Sequence, residues 1–115
     1  MRDFHFQQVF TPEYSNQQIF SQTIKEELGG IFEGVNCTML AYGITGSGKT
    51  FSIFGHPKLE RGISYLAFDH LFSMKAQHEK QGVKVTFKFT FIEIYNENVR
   101  DLLSEDGKRQ VTIGE

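Results

Sequence analysis

Phe20, Ile24, Leu28, Ile31 and Phe32 recur three and four residues apart, so residues 17–33 predict a helix with one apolar face. Ser15 or Asn16 supplies a cap at its start, and Gly34 a stop at its end. Gly29 and Gly30 lie inside that span. Each costs about 1 kcal/mol relative to alanine in a helix, so a bend or fraying is expected there. Ile63, Leu66, Ala67, His70, Leu71 and Met74 mark a second amphipathic helix over residues 62–78. Between the two helices, Cys37–Tyr42 is short and mostly apolar, the pattern of a buried strand. A short helix ending near Gly55 is expected next, then a polar loop, His56–Gly62.

The period changes after Gly82. Val83, Val85, Phe87, Phe89 and Phe91 alternate with polar residues, which predicts a half-buried strand running into Ile92–Tyr95. Asn96-Glu97-Asn98 reads as a turn. Val99–Leu103 is a short element whose type the pattern leaves open, and residues 110–113 suggest a last strand. Near the start, Phe4, Phe6 and Val9-Phe10 suggest a short strand broken by Thr11-Pro12. No internal repeat or low-complexity linker interrupts the chain.

At 115 residues the chain is one domain or part of one. Charged residues make up 23% and the hydrophobic set 39%, ordinary for a soluble protein. The formal net charge of −2 gives no global basic field, so nucleic acid and acidic membranes are not expected partners. Cys37 is the sole cysteine, so no internal disulfide forms; a small residue in a strand is the simpler reading than a reactive thiol. No run of about 18 apolar residues predicts a membrane span. The first residues lack a secretory core, so a cytoplasmic protein is expected. The four histidines are widely spaced and suggest surface or packing roles rather than a metal site.

The densest chemistry lies at Gly43-Ile44-Thr45-Gly46-Ser47-Gly48-Lys49-Thr50, which fits G-x-x-x-x-G-K-[ST]. A polyphosphate brings several negative charges that inward-turned backbone N–H groups of a tight loop can hold. Gly43, Gly46 and Gly48 permit the turn and keep side chains out of the anion's path. A helix beginning here adds its positive dipole end. Lys49 reaches the β- and γ-phosphates, and the Thr50 hydroxyl is a ligand for the Mg²⁺ that bridges them. A chance match in so short a chain is on the order of a few per thousand, and the strand before and helix after supply the right context. The loop specifies a nucleoside triphosphate but not its use, because kinases, GTPases, transporters, helicases and motors share it.

Other segments narrow the choice. Phe6–Phe10 resembles the F-D-x-V-F strand of kinesins, with Gln7 in place of Asp. Asn16–Phe20 is similar to the start of their first long helix, and Gly34–Gly43 to their G-Y-N-G-T-I-F-A-Y-G. Thr45–Thr50 fits the kinesin form of the phosphate loop. Glu93–Glu97 with Arg100–Leu103 resembles E-I-Y-N-E followed by R-D-L-L. The Glu93–Glu97 stretch carries no phosphate chemistry of its own and reads as a packing element. The resemblance runs in order over nearly the whole chain. It implies an α/β P-loop NTPase fold of the kinesin motor type, a sheet flanked by helices, that binds ATP and Mg²⁺ and moves on microtubules in the cytoskeleton. The His56–Gly62 loop would be a short form of the variable insertion beside the nucleotide pocket.

Ile44 stands where glutamine is common, and Ser64-Tyr65 replace a frequent I-P-R; these departures leave subfamily, direction of travel and cargo open. No segment of residues 1–115 resembles the family's arginine-proline motif, its two switches (the second D-L-A-G-S-E), its main microtubule-binding helix or its neck linker. Residues 1–115 are therefore expected to be an incomplete motor domain, inactive in hydrolysis alone, with microtubule contacts mostly supplied by other segments. A truncated binding module that holds nucleotide or a partner without catalysis is the alternative. In the family's sheet order the strand at residues 37–42 would be central, with both neighbours contributed from beyond residue 115. Poor folding of the 115-residue chain is expected for that reason.

Overall fold

The computed structural model describes residues 3–105 and 109–111. They fall into two units, Met1–Val83 and Lys84–Glu115.

In the first unit, Ser15 opens helix α1 (Asn16–Gln22) with a reciprocal capping box. The Gln18 N–H donates to Ser15 Oγ at 3.2 Å, and the Ser15 N–H donates to Gln18 Oε1 at 2.9 Å. The expected single helix over residues 17–33 is in fact three pieces: α1, α2 (Ile24–Glu27) and a 3₁₀ turn (Leu28–Glu33). The break falls at Thr23, before the glycines. The Thr23 hydroxyl donates to the Ile19 carbonyl at 2.7 Å, offering the backbone a side-chain bond in place of the regular ladder. The glycine pair lies in the 3₁₀ stretch, and Gly34 ends it in the left-handed region, φ 85°, as expected.

Helix α3 (Lys49–Phe54) follows the glycine-rich loop. The expected loop at His56–Gly62 contains a minimal hairpin, β1 (Gly55–His56) against antiparallel β2 (Glu60–Arg61). Helix α4 (Ile63–Lys80) then runs slightly longer than the predicted 62–78. Phe20, Leu28 and Ile63 form the buried core, with Ile19, Ile24, Leu66, Ala67 and Leu71 packed against it. Two histidines have packing roles: His70 meets Phe20 edge-on with ring centroids 6.2 Å apart, and His78 stacks on Phe32 at 4.5 Å.

Two expected strands of this unit do not form. Residues 4–10 and 37–42 are irregular. Cys37–Tyr42 is not the buried central strand of a sheet: Leu40 is 84% and Tyr42 95% exposed, and Cys37 is exposed as well. No described strand pairs with the segment. Without ladder neighbours the backbone of an apolar strand is better solvated than buried, since each buried unpaired group costs about 1–3 kcal/mol.

In the second unit, β3 (Ile92–Tyr95) pairs antiparallel with β4 (Asn98–Asp101), Tyr95 opposite Asn98 and Ile92 opposite Asp101. Asn96 and Glu97 form the two-residue turn with φ of 48° and 59°, the sign pattern of a type I′ turn. The Leu102 N–H donates to the Phe91 carbonyl at 2.8 Å and carries the pairing one step further. The strand expected from Val83 is therefore confined to its end, residues 92–95. The open element at residues 99–103 is mostly strand. β5 (Arg109–Gln110) adds a third strand beside β4. The predicted strand at 110–113 begins one residue early, and residues 112–113 lie outside the described residues. The observed sheets are small and antiparallel, where a helix-flanked central motor sheet was expected.

Candidate functional site

Residues 43–50 form an exposed turn that opens directly into α3. The Ser47 N–H donates to the Ile44 carbonyl at 3.1 Å and closes the turn. Gly46 and Gly48 adopt φ of 79° and 90°, a region side chains disfavour. Gly43 has an ordinary backbone but a close neighbour: a Cβ there would lie 2.4 Å from Ser47 Oγ, so the Ser47 side chain would have to turn away. The first ladder bond of α3 runs from the Ser52 N–H to the Gly48 carbonyl at 2.9 Å. The amides of Lys49, Thr50 and Phe51 precede it and have no backbone partner among the described residues, so they are open to a ligand or water.

Lys49 is half-buried and turned back over the loop. Its ammonium donates to the Gly43 carbonyl at 2.8 Å and the Ile44 carbonyl at 2.7 Å. These charge-assisted bonds hold the loop closed around the cation. Any anion reaching the loop would compete with two carbonyls for a charge already in place. Ile44, Thr45, Ser47 and Thr50 are exposed. The Thr50 hydroxyl has no protein partner among the described residues. One free hydroxyl suits Mg²⁺, which takes most of its six oxygen ligands from water and phosphate. The structure thus brings all eight sequence-predicted residues to one turn.

The anchoring behind the loop was not visible in sequence. The sequence offers Asn16 as an alternative cap and as the first residue of a family-like helix start, and Ser64 as a departure from a family pattern, none of which points to an anchor. Asn16 Nδ2 donates to the Phe51 carbonyl at 3.1 Å and to the Arg61 carbonyl at 3.2 Å. Its backbone N–H donates to Glu60 Oε2 at 2.8 Å. Ser64 Oγ donates to the Ile53 carbonyl at 2.6 Å. Gly55 and Gly62 let the chain cross itself: a Cβ on Gly62 would meet the Ile53 carbonyl at 2.2 Å. Beside them, Arg61 forks onto Asp69, which raises the guanidinium pKa further, and lies 5.7 Å above the Tyr65 ring. A groove of about 460 Å³ lined by Phe54, His56, Leu59 and Tyr65 sits at the far end of α3 from Lys49, so it is separate from the turn at residues 43–50. No cluster of metal-ligating side chains occurs among the described residues, and none of the described helices is long and apolar enough to cross a membrane.

The kinesin motor domain family matches residues 1–115. Kinesin-like protein KIN-14Q of Oryza sativa subsp. japonica is 38% identical over 115 residues, 97% of this chain and 12% of that protein. Kinesin-like protein klp-20 of Caenorhabditis elegans is 37% identical over 120 residues, 99% of this chain and 18% of that protein. Kinesin-like protein KIN-5B of Arabidopsis thaliana is 37% identical over 112 residues, 91% of this chain and 10% of that protein. The chain thus spans less than a fifth of the length of these curated relatives.

Proposed function

The chain belongs to the kinesin motor family, whose domain implies a P-loop NTPase fold, and on that premise we propose that residues 43–50 bind ATP with Mg²⁺. The whole protein, in this reading, couples ATP hydrolysis to movement along microtubules in the cytoplasm. The observation that carries the proposal is the convergence at one turn of the Lys49 ammonium, the free Thr50 hydroxyl and the unladdered amides of residues 49–51.

The roles follow from the geometry. Backbone amides of Gly46 and Gly48 and of the first turn of α3 donate to phosphate oxygens, with Ile44, Thr45 and Ser47 as spacers whose side chains stay in solvent and the Ser47 N–H kept on the Ile44 carbonyl. Lys49 transfers part of its hydrogen bonding from the two loop carbonyls to the β- and γ-phosphates. Thr50 is the residue that would hold Mg²⁺ through its hydroxyl, and the ion would supply neutralisation of phosphate charge. The test is a titration of the protein with a fluorescent ATP analogue in Mg²⁺. Saturable binding displaced by ATP and not by adenosine is expected, because the site reads phosphate. Absence of displaceable binding overturns the proposal.

A further inference from the structure

Helix α3 has six residues, too few to hold its direction alone. Its orientation, and with it that of Lys49 and Thr50, depends on the grip of groups outside it. Two side chains from outside supply that grip: Ser64, on the Ile53 carbonyl of the last turn, and Asn16, on the Phe51 carbonyl. Asn16 is 3% exposed and is the buried polar residue among those described. It opens α1 just after the Ser15 cap, a position where a helix itself demands no asparagine.

We propose that Asn16 is a positioning residue for the phosphate loop. Its amide has two N–H donors, and both are used: one on α3 at Phe51, the other on the hairpin at Arg61, 35 and 45 residues away in the chain. The Glu60 carboxylate holds the backbone of the same residue. One residue therefore ties α1 to both α3 and the hairpin. Displacing Phe51 displaces Thr50 and Lys49 directly, since they share one helical turn. The inference rests on the reading of residues 43–50 as a phosphate site.

The chemistry of the amide provides the test. In Asn16→Asp the shape is kept, but a carboxylate oxygen faces two carbonyls. That repulsion raises the carboxyl pKa, and only the protonated form regains a donor. Affinity for the fluorescent ATP analogue is measured between pH 8 and pH 5, with the folded fraction followed by circular dichroism in the same samples. Per folded molecule, Asn16→Asp should bind at least about tenfold more weakly at pH 8 and recover toward pH 5, a rise the unsubstituted protein does not show. A purely structural role lowers the folded fraction and leaves affinity per folded molecule unchanged. Should Asn16→Asp not fold, Glu60→Ala, which frees the backbone of Asn16 from a half-exposed position, decides the matter: a threefold or larger loss per folded molecule is expected. Equal affinity per folded molecule in the variant that decides overturns the positioning role alone. Failure of the unsubstituted protein to bind overturns both this role and the phosphate site.

Discussion

The Lys49 ammonium donates to the Gly43 carbonyl at 2.8 Å across the mouth of the loop at residues 43–50, so the cation proposed to hold phosphate also closes that loop. Lys49→Ala removes both. The lost interactions are hydrogen bonds from a charged group, worth about 1.5–3 kcal/mol each. The affinity for a fluorescent ATP analogue should fall at least about tenfold. Amide exchange at Ser47, whose N–H closes the turn, should accelerate in the absence of nucleotide. Unchanged affinity would remove Lys49 from the site.

Thr50→Val separates metal binding from packing. Valine keeps the branched shape and deletes the oxygen, and the hydroxyl has no protein bond to lose among the described residues. Nucleotide affinity with Mg²⁺ should drop several-fold, whereas affinity in EDTA should change little. Equal losses in both titrations would mean that Thr50 is not a metal ligand.

Gly62→Ala tests the crossing that anchors α3. A Cβ there would stand 2.2 Å from the Ile53 carbonyl and 2.4 Å from the Gly55 nitrogen, and neither backbone atom can swing aside as a side chain does. Overpacking of this kind costs about 1–3 kcal/mol. The urea midpoint of the unit holding α1, α3 and α4 should fall accordingly. Gly29→Ala is the control, because nothing lies within 4 Å of a Cβ there and the midpoint should hold or rise.

Glu97 carries a side chain at φ 59°, the second central position of the β3–β4 turn, where glycine is the preferred residue of a type I′ hairpin. Glu97→Gly should relieve strain on the order of 1 kcal/mol. The gain should appear as slower amide exchange at the hairpin pairs from Tyr95–Asn98 to Ile92–Asp101. No slowing would mean that the turn accepts glutamate without strain.

What the sequence shows of this molecule depends on how local the information is. The turn at residues 43–50 was legible as a turn because its conformation is dictated by its own glycines and its own lysine, all within eight residues. Helix α4 was legible because its period persists over eighteen residues. The fragmentation of residues 16–33 was not, since a single hydroxyl at Thr23 outweighs a continuous apolar stripe. The anchoring of α3 by Asn16 was also hidden: its partners lie 35 and 45 residues away, and only packing brings them together. The apolar pattern of Cys37–Tyr42 signals a strand, yet a pattern states what a segment would bury and not what is present to cover it.

That last segment gives the most exacting prediction. Leu40 and Tyr42 are 84% and 95% exposed, and no described strand lies beside residues 37–42. The backbone groups there exchange hydrogen bonds with water. In the isolated 115-residue chain, amide exchange across residues 37–42 should be close to that of an unstructured peptide, while Phe20, Leu28 and Ile63 hold protection around the small core. The same preparation should show no microtubule-stimulated ATP turnover, because residues 1–115 include no segment resembling a γ-phosphate switch. The two measurements are independent. Strong protection across residues 37–42 in a monomer would show that the segment finds ladder partners within the chain, and would overturn the solvated arrangement. Stimulated turnover would show that residues 1–115 contain a working γ-phosphate sensor and would overturn the reading of the chain as inactive in hydrolysis alone.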